Sequence, residues 1–296
     1  MSTTGGAALF EVDLLGGATA RRWSKAIAPL IGDIERAFPW DSFDAGRYPA
    51  DLLERGRLSW TASAFNEHCT AAAMGQLLEL LGQASVPLDL WGVAATFPLE
   101  ELLHVQLCAR VAMRMGGGAP IVYDPDDLHL TFAPGLTPLQ RATEMVVRLC
   151  CVGEAFSLPM LAGAMKAASH PLTRAVLAQI VRDEAMHGQF GWTYMAWIRD
   201  DLDETERERL ARAAEDTAAG LRRVWEERPA VGEDHPQASD MGWIAAQAYP
   251  NYAREALQRD VQARLAEHGI VADIEGLGPA RASRASAHAD AAPTLR

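Results

Sequence analysis

Apolar residues recur along most of the chain at the three- and four-residue spacing of an α-helix, and strand-like alternation is nearly absent outside residues 120–134. This pattern predicts an all-α fold. Helix ends are indicated by local signals: Thr137 before Pro138 is typical of a helix start, and Gly82 is typical of a helix end. On these signals we expect four long helices at about 58–81, 98–115, 137–168 and 171–199, followed by two more at about 203–228 and 250–269.

The connection between the second and third long helices, residues 118–136, is too long for a tight turn. It predicts a crossover that runs the length of a four-helix bundle. We therefore expect this bundle over residues 57–199, a leading segment over 23–56 that packs on it, and accessory C-terminal helices over 200–277. Residues 1–22 and 278–296 contain few large apolar groups and are predicted to be disordered tails.

Composition narrows the class of protein. The 296 residues are 49% hydrophobic, which is ample for a core, and the formal net charge of -12 argues against a nucleic-acid or anionic-membrane partner. No run reaches the roughly 18 uninterrupted apolar residues of a membrane span, and the N-terminus lacks a basic start followed by an apolar run. The four cysteines form no CxxC pair and are interpreted as reduced thiols. A soluble, cytoplasmic protein is expected.

Two Glu-x-x-His motifs carry the candidate chemistry: "EELLH" on the second predicted helix and "RDEAMH" on the fourth. A spacing of three places both side chains on one helix face, where they can bind one metal together. One such motif arises readily by chance, but the first and third helices add an acid each, so the order is Glu, Glu-x-x-His, Glu, Glu-x-x-His. The predicted metal ligands are Glu67, Glu101, His104, Glu154, Glu184 and His187.

Electrostatics independently favours a metal at this position. Four buried carboxylates without counterions would protonate or unfold the bundle, because each desolvated charge costs several kcal/mol. Two divalent cations cancel them, and carboxylates with imidazoles suit iron or manganese, with zinc not excluded. Asp183 and Glu100, each next to a predicted ligand but turned about 100° round the helix, are predicted to accept the free ring N–H of His104 and of His187.

These motifs, with Glu67 and Glu154 in register, resemble the ferritin-like di-iron carboxylate superfamily over about residues 57–199. The resemblance implies two iron ions, dioxygen as a substrate and a small organic molecule as the second substrate. Manganese or a mixed manganese–iron pair is compatible with the same ligands. Since no flavin, nicotinamide or iron–sulfur motif is evident, a separate electron donor is implied.

Several features of this chain differ from those of individual branches of the superfamily, and these differences narrow the resemblance. The chain is longer than a ferritin-cage subunit and lacks the CxxC pairs of rubrerythrins. Cys108 stands where the radical subunit of ribonucleotide reductase has tyrosine, and Leu158 stands where multicomponent monooxygenases have threonine. Ile180 stands where arylamine N-oxygenases have an additional histidine, which puts a seventh protein ligand in doubt.

Small residues one turn from the ligands indicate an open pocket for dioxygen and substrate, with close helix packing as the alternative for each. The candidate pocket residues are Ser63, Ala71, Cys108, Cys150, Ser157, Leu158, Ile180, Gly188 and Gly191. Pro159 is expected to bend or end the third helix beside them.

The leading functional hypothesis is a non-haem di-iron oxidase or oxygenase that acts on a small organic substrate, in keeping with a biosynthetic tailoring step. A ferroxidase or peroxidase-type iron-handling protein is one alternative. Another is a metal-free structural bundle in which the acids pair with arginines such as Arg148 and Arg182. Residues 200–277 are left to form a lid, a homodimer surface or a docking surface. Neither the substrate nor the reaction on it can be assigned from these motifs.

Overall fold

The computed structural model describes residues 6–226, 235–245 and 247–274. Its regular structure is almost entirely helical, so the all-α prediction is confirmed. Two of its segments, Val147–Glu154 and Ala256–Gln262, are π-helical. The helices are α1 (Gly17–Ile31), α2 (Ile34–Ala37), α3 (Ala50–Gln83), α4 (Leu88–Ala94), α5 (Phe97–Arg114), α6 (Pro138–Val146), α7 (Ala155–Ala167), α8 (Pro171–Ile198), α9 (Glu204–Glu226), α10 (Tyr249–Glu255) and α11 (Ala263–Glu267).

Local side chains define where the long helices begin. Thr137 and Gln140 form a capping box, in which each side chain accepts a hydrogen bond from the other's backbone N–H. At α8 the imidazole of His170 accepts the Leu172 N–H, so this histidine acts as the cap. Helix α3 begins at Ala50 rather than near residue 58, because the chain continues as helix through the polar residues that follow Pro49.

Four long helical stretches lie side by side: α3, α5, the run from α6 through α7, and α8. Arg57 near the start of α3 donates to Gly118 O beyond the end of α5, so these two helices run in opposite directions. Arg141 near the start of α6 bonds Gln83 at the far end of α3. The chain therefore has to travel from the level of Arg57 to that of Gln83 between α5 and α6, about 39 Å at 1.5 Å per residue.

This crossover is tied to α3 on the way. The side-chain amide of Gln76 donates to Leu130 O and accepts from Leu130 N. The predicted long crossover between the second and third long helices is thus present.

The apolar core is divided into two clusters along the helix axes. One packs Leu52, Trp60 and Phe65 of α3 against the first half of α8, and the other packs Met74, Leu77 and Leu81 against its second half. Glu67 lies between these two groups on α3, and Glu184 lies near the middle of α8. Glu67 and Glu184 therefore lie in a layer, which we call the polar layer, between the two apolar clusters.

The N-terminal segment corrects one prediction. Residues 1–22 were expected to form a tail, but β1 (Ala8–Leu9) pairs antiparallel with β2 (Val122–Tyr123) of the crossover. Phe10 is buried, with its ring 5.2 Å from that of Phe65. Burial of this aromatic ring orders a stretch that is otherwise rich in small residues. Residues 1–5 and 278–296 lie outside the described residues.

The accessory helices pack on the run from α6 through α7. Helix α9 lies against the π-helical segment Val147–Glu154, and α10 and the π-helical segment Ala256–Gln262 lie along α7. Buried Glu144 of α6 forms ion pairs with Arg148 at 2.9 Å and with Arg209 of α9. Because a buried carboxylate is costly without partners, this cluster holds α9 in one position.

Within the described residues, one helix, Pro138–Ala167, is long and apolar enough to cross a membrane. Of its most apolar window, 56% is buried inside the fold. A buried core helix meets the same criteria, so this feature by itself does not indicate a membrane span.

Candidate metal centre

The four long helices bring all six predicted ligands together in the polar layer. Glu67 comes from α3, Glu101 and His104 from α5, Glu154 from the end of the π-helical segment, and Glu184 and His187 from α8. They form two groups whose ligand atoms lie within 4.8 Å of one another, Glu67, Glu101, His104 and Glu184 in the first, and Glu101, Glu154, Glu184 and His187 in the second.

Two carboxylates belong to both groups. Glu184 places Oε1 3.3 Å from His104 Nδ1 and Oε2 2.9 Å from His187 Nδ1. Glu101 places Oε1 3.1 Å from His187 Nδ1 and Oε2 3.6 Å from His104 Nδ1. Each of these acids therefore offers one oxygen to each histidine, which is the arrangement that two adjacent bridged cations require.

The other two acids complete one group each. Glu67 Oε2 lies 4.0 Å from His104 Nδ1, and Glu154 belongs with His187. Ser157 donates a hydrogen bond of 3.1 Å to Glu154 Oε2 and thereby orients that carboxylate. Each group thus has one imidazole and one carboxylate of its own, besides the two shared carboxylates.

The outer nitrogens of both imidazoles point away from the centre. His104 Nε2 donates to Asp183 Oδ2 at 3.1 Å, and His187 Nε2 donates to Glu100 Oε2 at 2.8 Å. These are the contacts expected from the sequence for Asp183 and Glu100. They leave Nδ1 of each ring turned toward the cluster, as a metal-bound histidine requires.

Two contributors were missed at the level of sequence. Buried Gln179 donates its amide N–H groups to both oxygens of Asp183, at 3.0 and 2.7 Å. The ring of Phe97 lies 4.3 Å from that of His187, centroid to centroid. Gln179 stands one turn before Asp183, and this spacing was the signal available in the sequence. Many glutamines stand at the same distance from an acid, so the spacing alone does not identify the contact.

The centre is almost completely buried and is incomplete in its hydrogen bonding. Glu101, His104 and His187 are 0% exposed. Both carboxylate oxygens of Glu101 and Nδ1 of His104 are buried without a hydrogen-bond partner. Unsatisfied buried polar atoms are rare because each costs about 1–3 kcal/mol. Their convergence on one point means that the buried Glu and His groups are suited to hold a metal ion.

The pKa shifts of the metal-free groups agree with this reading. Burial, together with the neighbouring Glu101 and Glu184, raises the pKa of Glu67 well above its ordinary value. Burial also raises the pKa of Glu154, with Glu184 and Glu101 adding to the effect. These two carboxyls therefore favour the protonated form more than a free carboxyl does.

The histidines take up part of the negative charge in the metal-free protein. Burial alone would lower the pKa of His187, but its hydrogen bonds to Glu100 and Glu184 and the nearby carboxylate of Glu101 outweigh it and raise this pKa to about 12. The pKa of His104 is raised for the same reason, with Asp183 as its strongest hydrogen-bonding partner. A protonated imidazole occupies the place of a cation in this state.

The helical run from α6 through α7 changes from α-helical to π-helical winding where it reaches the candidate metal centre. The π-helical segment Val147–Glu154 ends at the ligand Glu154, and single π turns are frequent at functional sites. Pro159 neither ends the helix nor stands at its start, because α7 continues to Ala167. Glu154 O accepts from the Ser157 hydroxyl at 3.3 Å.

A cavity of about 470 Å³ lies between α7, α8 and the helical run α10–α11, and we call it the α7–α8 cavity. Its inner wall includes Ala155, directly after Glu154, and Gly188, directly after His187. Of the predicted pocket residues, Leu158 and Gly188 line it. A Cβ added at Gly188 would have no atom within 4 Å, so this glycine borders open space.

The other predicted pocket residues are not part of the lining of this cavity. Gly191 is a packing position, since a Cβ there would lie 2.7 Å from Cys150 Cβ and 3.0 Å from Cys151 Sγ. Its prediction as pocket space is wrong because α8 approaches the π-helical segment there. Ser157 binds Glu154 instead. Cys108, Cys150 and Ile180 are buried, Ala71 is buried at the edge of the core, and Ser63 is half-buried.

Among the described residues, no arginine forms an ion pair with the carboxylates of the candidate metal centre. Arg148, the expected partner in a metal-free structural bundle, binds Glu144, Ala213 O and Thr217. The recorded ion pairs of Glu67, Glu101 and Glu184 are with imidazoles. This removes the arginine pairing through Arg148 on which that alternative was based.

Comparisons with protein-family models, with curated proteins and with solved structures find no match for this chain.

Proposed function

We propose that the protein is a non-haem di-iron oxidase or oxygenase with a ferritin-like bundle, which uses dioxygen to oxidise a small organic molecule. One observation carries the proposal: Glu101 and Glu184 each face both histidines, so the six ligands divide into two overlapping groups of four. Carboxylate-rich sites with one imidazole per metal suit iron or manganese. Two irons held by these residues would supply the redox-active metal and the open coordination positions that reaction with dioxygen needs.

The chain's own residues supply geometry and shielding. Asp183 and Glu100 hold the two imidazoles in the orientation that turns Nδ1 inward. Ser157 fixes one oxygen of Glu154. The apolar clusters on both sides keep bulk water from the polar layer, which strengthens every electrostatic interaction inside it.

The α7–α8 cavity favours an organic substrate over iron handling alone. Its inner wall is formed by Ala155, Leu158 and Gly188, which follow ligands closely in sequence. A protein that only oxidises or stores iron needs no apolar binding surface, whereas an organic substrate does. Electrons come from a separate donor in this proposal.

The test is anaerobic loading with Fe(II), followed by a pulse of oxygen and detection by optical and Mössbauer spectroscopy. We expect two Fe(II) per chain and an oxygen-dependent conversion to Fe(III). The variant Glu67→Ala should lose this response. Glu79→Ala is the matched control, since Glu79 is an exposed acid on the same helix that only accepts from Gln83.

Two outcomes would count against the proposal. If the wild-type protein shows no oxygen-dependent iron chemistry, or if Glu67→Ala behaves like Glu79→Ala, the di-iron assignment is wrong. If excess Fe(II) is turned over continuously and forms a mineral without any organic molecule, the iron-handling alternative is correct.

A further inference from the structure

The α7–α8 cavity has walls of opposite character. On the inner side Ala155 is 7% exposed and Trp192 is 4% exposed, and Gly188 is buried. On the outer side the lining residues are charged: Lys166, Glu255, Arg259, Asp260 and Arg264. A molecule that fills the cavity would therefore place an apolar part against Ala155 and Gly188 and a charged group at the rim.

The rim charges do not all cancel. Arg259 and Asp260 pair with each other through two contacts, at 2.9 and 2.8 Å. Glu255 lies close enough to Arg259 to raise its pKa. In the part of the chain that the structure describes, Lys166 and Arg264 form no ion pair with an acid. Two cations are thus available to a ligand.

Arg264 is held in a fixed orientation. Its guanidinium carbon lies 4.4 Å from the centroid of a Trp192 ring, and the other stacking partner of Trp192 is His268. Stacking uses the face of the guanidinium and leaves the N–H groups at its edge free. These N–H groups match the two oxygens of a carboxylate.

We propose, on the basis of the function proposed above, that the α7–α8 cavity binds a small carboxylic acid, with its carboxylate at Arg264 and Lys166 and its apolar body against Gly188 and Ala155. The carboxylate is favoured over a phosphate ester because Glu255 and Asp260 stand on the same rim and repel a dianion. The cavity volume of about 470 Å³ lies within the range of small-molecule sites, which suits a molecule the size of a phenylalkanoic acid.

The first experiment compares three probes of equal shape by isothermal titration calorimetry: 3-phenylpropionate, 3-phenylpropanamide and 3-phenylpropylamine. It is done on the protein as purified and again after chelation of metals. We expect the acid to bind about tenfold or more tightly than the amide, in both preparations, since a hydrogen bond to a charged group is lost in the amide. Equal binding of acid and amide, tighter binding of the amine, or no saturable binding of the acid at millimolar concentration would overturn the proposal.

The second experiment locates the probe. Arg264→Gln and Lys166→Gln should each weaken binding of 3-phenylpropionate, by about tenfold for Arg264→Gln, and leave the amide unchanged. Arg254→Gln is the matched control, because Arg254 is exposed on α10 and does not line the cavity. Lys166 is exposed, so its replacement is tolerated even if Arg264→Gln does not fold. If both cavity variants bind the acid as tightly as the control, the carboxylate does not bind at this rim.

Metal binding and acid binding can fail separately. If the chelated protein keeps its preference for the acid while iron loading gives no oxygen chemistry, the cavity assignment stands and the proposed function falls. If iron and oxygen react but no preference for the acid is found, the substrate class alone is wrong.

Discussion

Glu101 and Glu184 face each other across the polar layer, and each turns one carboxylate oxygen toward His104 and the other toward His187. The two acids are therefore not equivalent to Glu67 and Glu154, which belong to one group each. This difference separates residues that would hold both metals from residues that would hold one.

Replacement of a shared acid should remove both metals. Glu101→Ala deprives each group of one of its four ligands, whereas Glu154→Ala affects only the group of His187. We expect the metal content after equilibrium dialysis against Fe(II) or Mn(II) to fall from two per chain to near zero in Glu101→Ala, and to about one in Glu154→Ala. Elemental analysis measures this directly. Equal losses in the two variants would show that Glu101 is not shared.

Protons and metals should compete for the centre. A group whose pKa is raised on folding contributes stability that is fully present below its unfolded pKa and is lost as the pH rises through its folded pKa. Burial raises the pKa of Glu67 and of Glu154, and carboxylate partners raise that of His187 to about 12. The metal-free protein should therefore become less stable as the pH rises above about 4.5, where the unfolded carboxyls ionise, and further above about 6.5, where the unfolded imidazole loses its proton. Glu184 has a lowered pKa, and its stabilising effect is lost only as the pH falls below about 4.5, outside this window.

Thermal denaturation with and without Mn(II) measures this competition. Because a bound metal requires deprotonated ligands, the difference in melting temperature between the two preparations should grow with pH. Glu154→Gln, which cannot ionise, should reduce the pH dependence of the metal-free protein. A metal-free protein whose stability rises over the same range would contradict the assignment of these protons.

Asp183 should act through the orientation of His104. Loss of such a partner typically lowers metal affinity by about 10–100-fold. We expect Mn(II) affinity to decrease from wild type to Asp183→Asn, which keeps an acceptor oxygen, and further to Asp183→Ala. Asp200→Asn, at an exposed acid beyond the end of α8, is the control. If the Asn and Ala variants were equally weak, the charge of Asp183 and not its hydrogen bond would be the cause.

The ligand set follows from the sequence because helical geometry is regular. A spacing of three on a helix fixes which side chains share a face, so Glu101 with His104 and Glu184 with His187 are readable without a structure. The start of α6 is readable for the same reason, since Thr137 and Gln140 form a local capping box. Each of these inferences depends on residues within one turn of each other.

Other features depend on contacts between distant residues and could not be predicted in this way. The π-helical segment Val147–Glu154 changes the winding before Glu154, and no residue in it marks the change. The outer wall of the α7–α8 cavity includes Arg259 and Arg264, which are 61 and 66 residues beyond the end of α8 in the chain. The distinction between Gly188 and Gly191 likewise depends on how closely α8 approaches another helix.

That distinction gives opposite predictions for two similar substitutions. A methyl group at Gly188 meets no atom within 4 Å, and alanine is favoured over glycine inside a helix by about 0.5–1 kcal/mol. Gly188→Ala should therefore raise the free energy of unfolding by about that amount. Because Gly188 lines the α7–α8 cavity, the same change should narrow it and weaken binding of 3-phenylpropionate.

Gly191→Ala should do the reverse. Its Cβ would lie 2.7 Å from Cys150 Cβ and 3.1 Å from the Cys150 backbone, so α8 and the π-helical segment have to separate. Overpacking of this kind costs about 1–3 kcal/mol, which exceeds the gain in helix propensity. Urea denaturation of the two variants, each metal-free, gives the free energies of unfolding. Destabilisation by Gly188→Ala would mean that Gly188 does not border open space, and stabilisation by Gly191→Ala would mean that α8 does not pack against Cys150 as described.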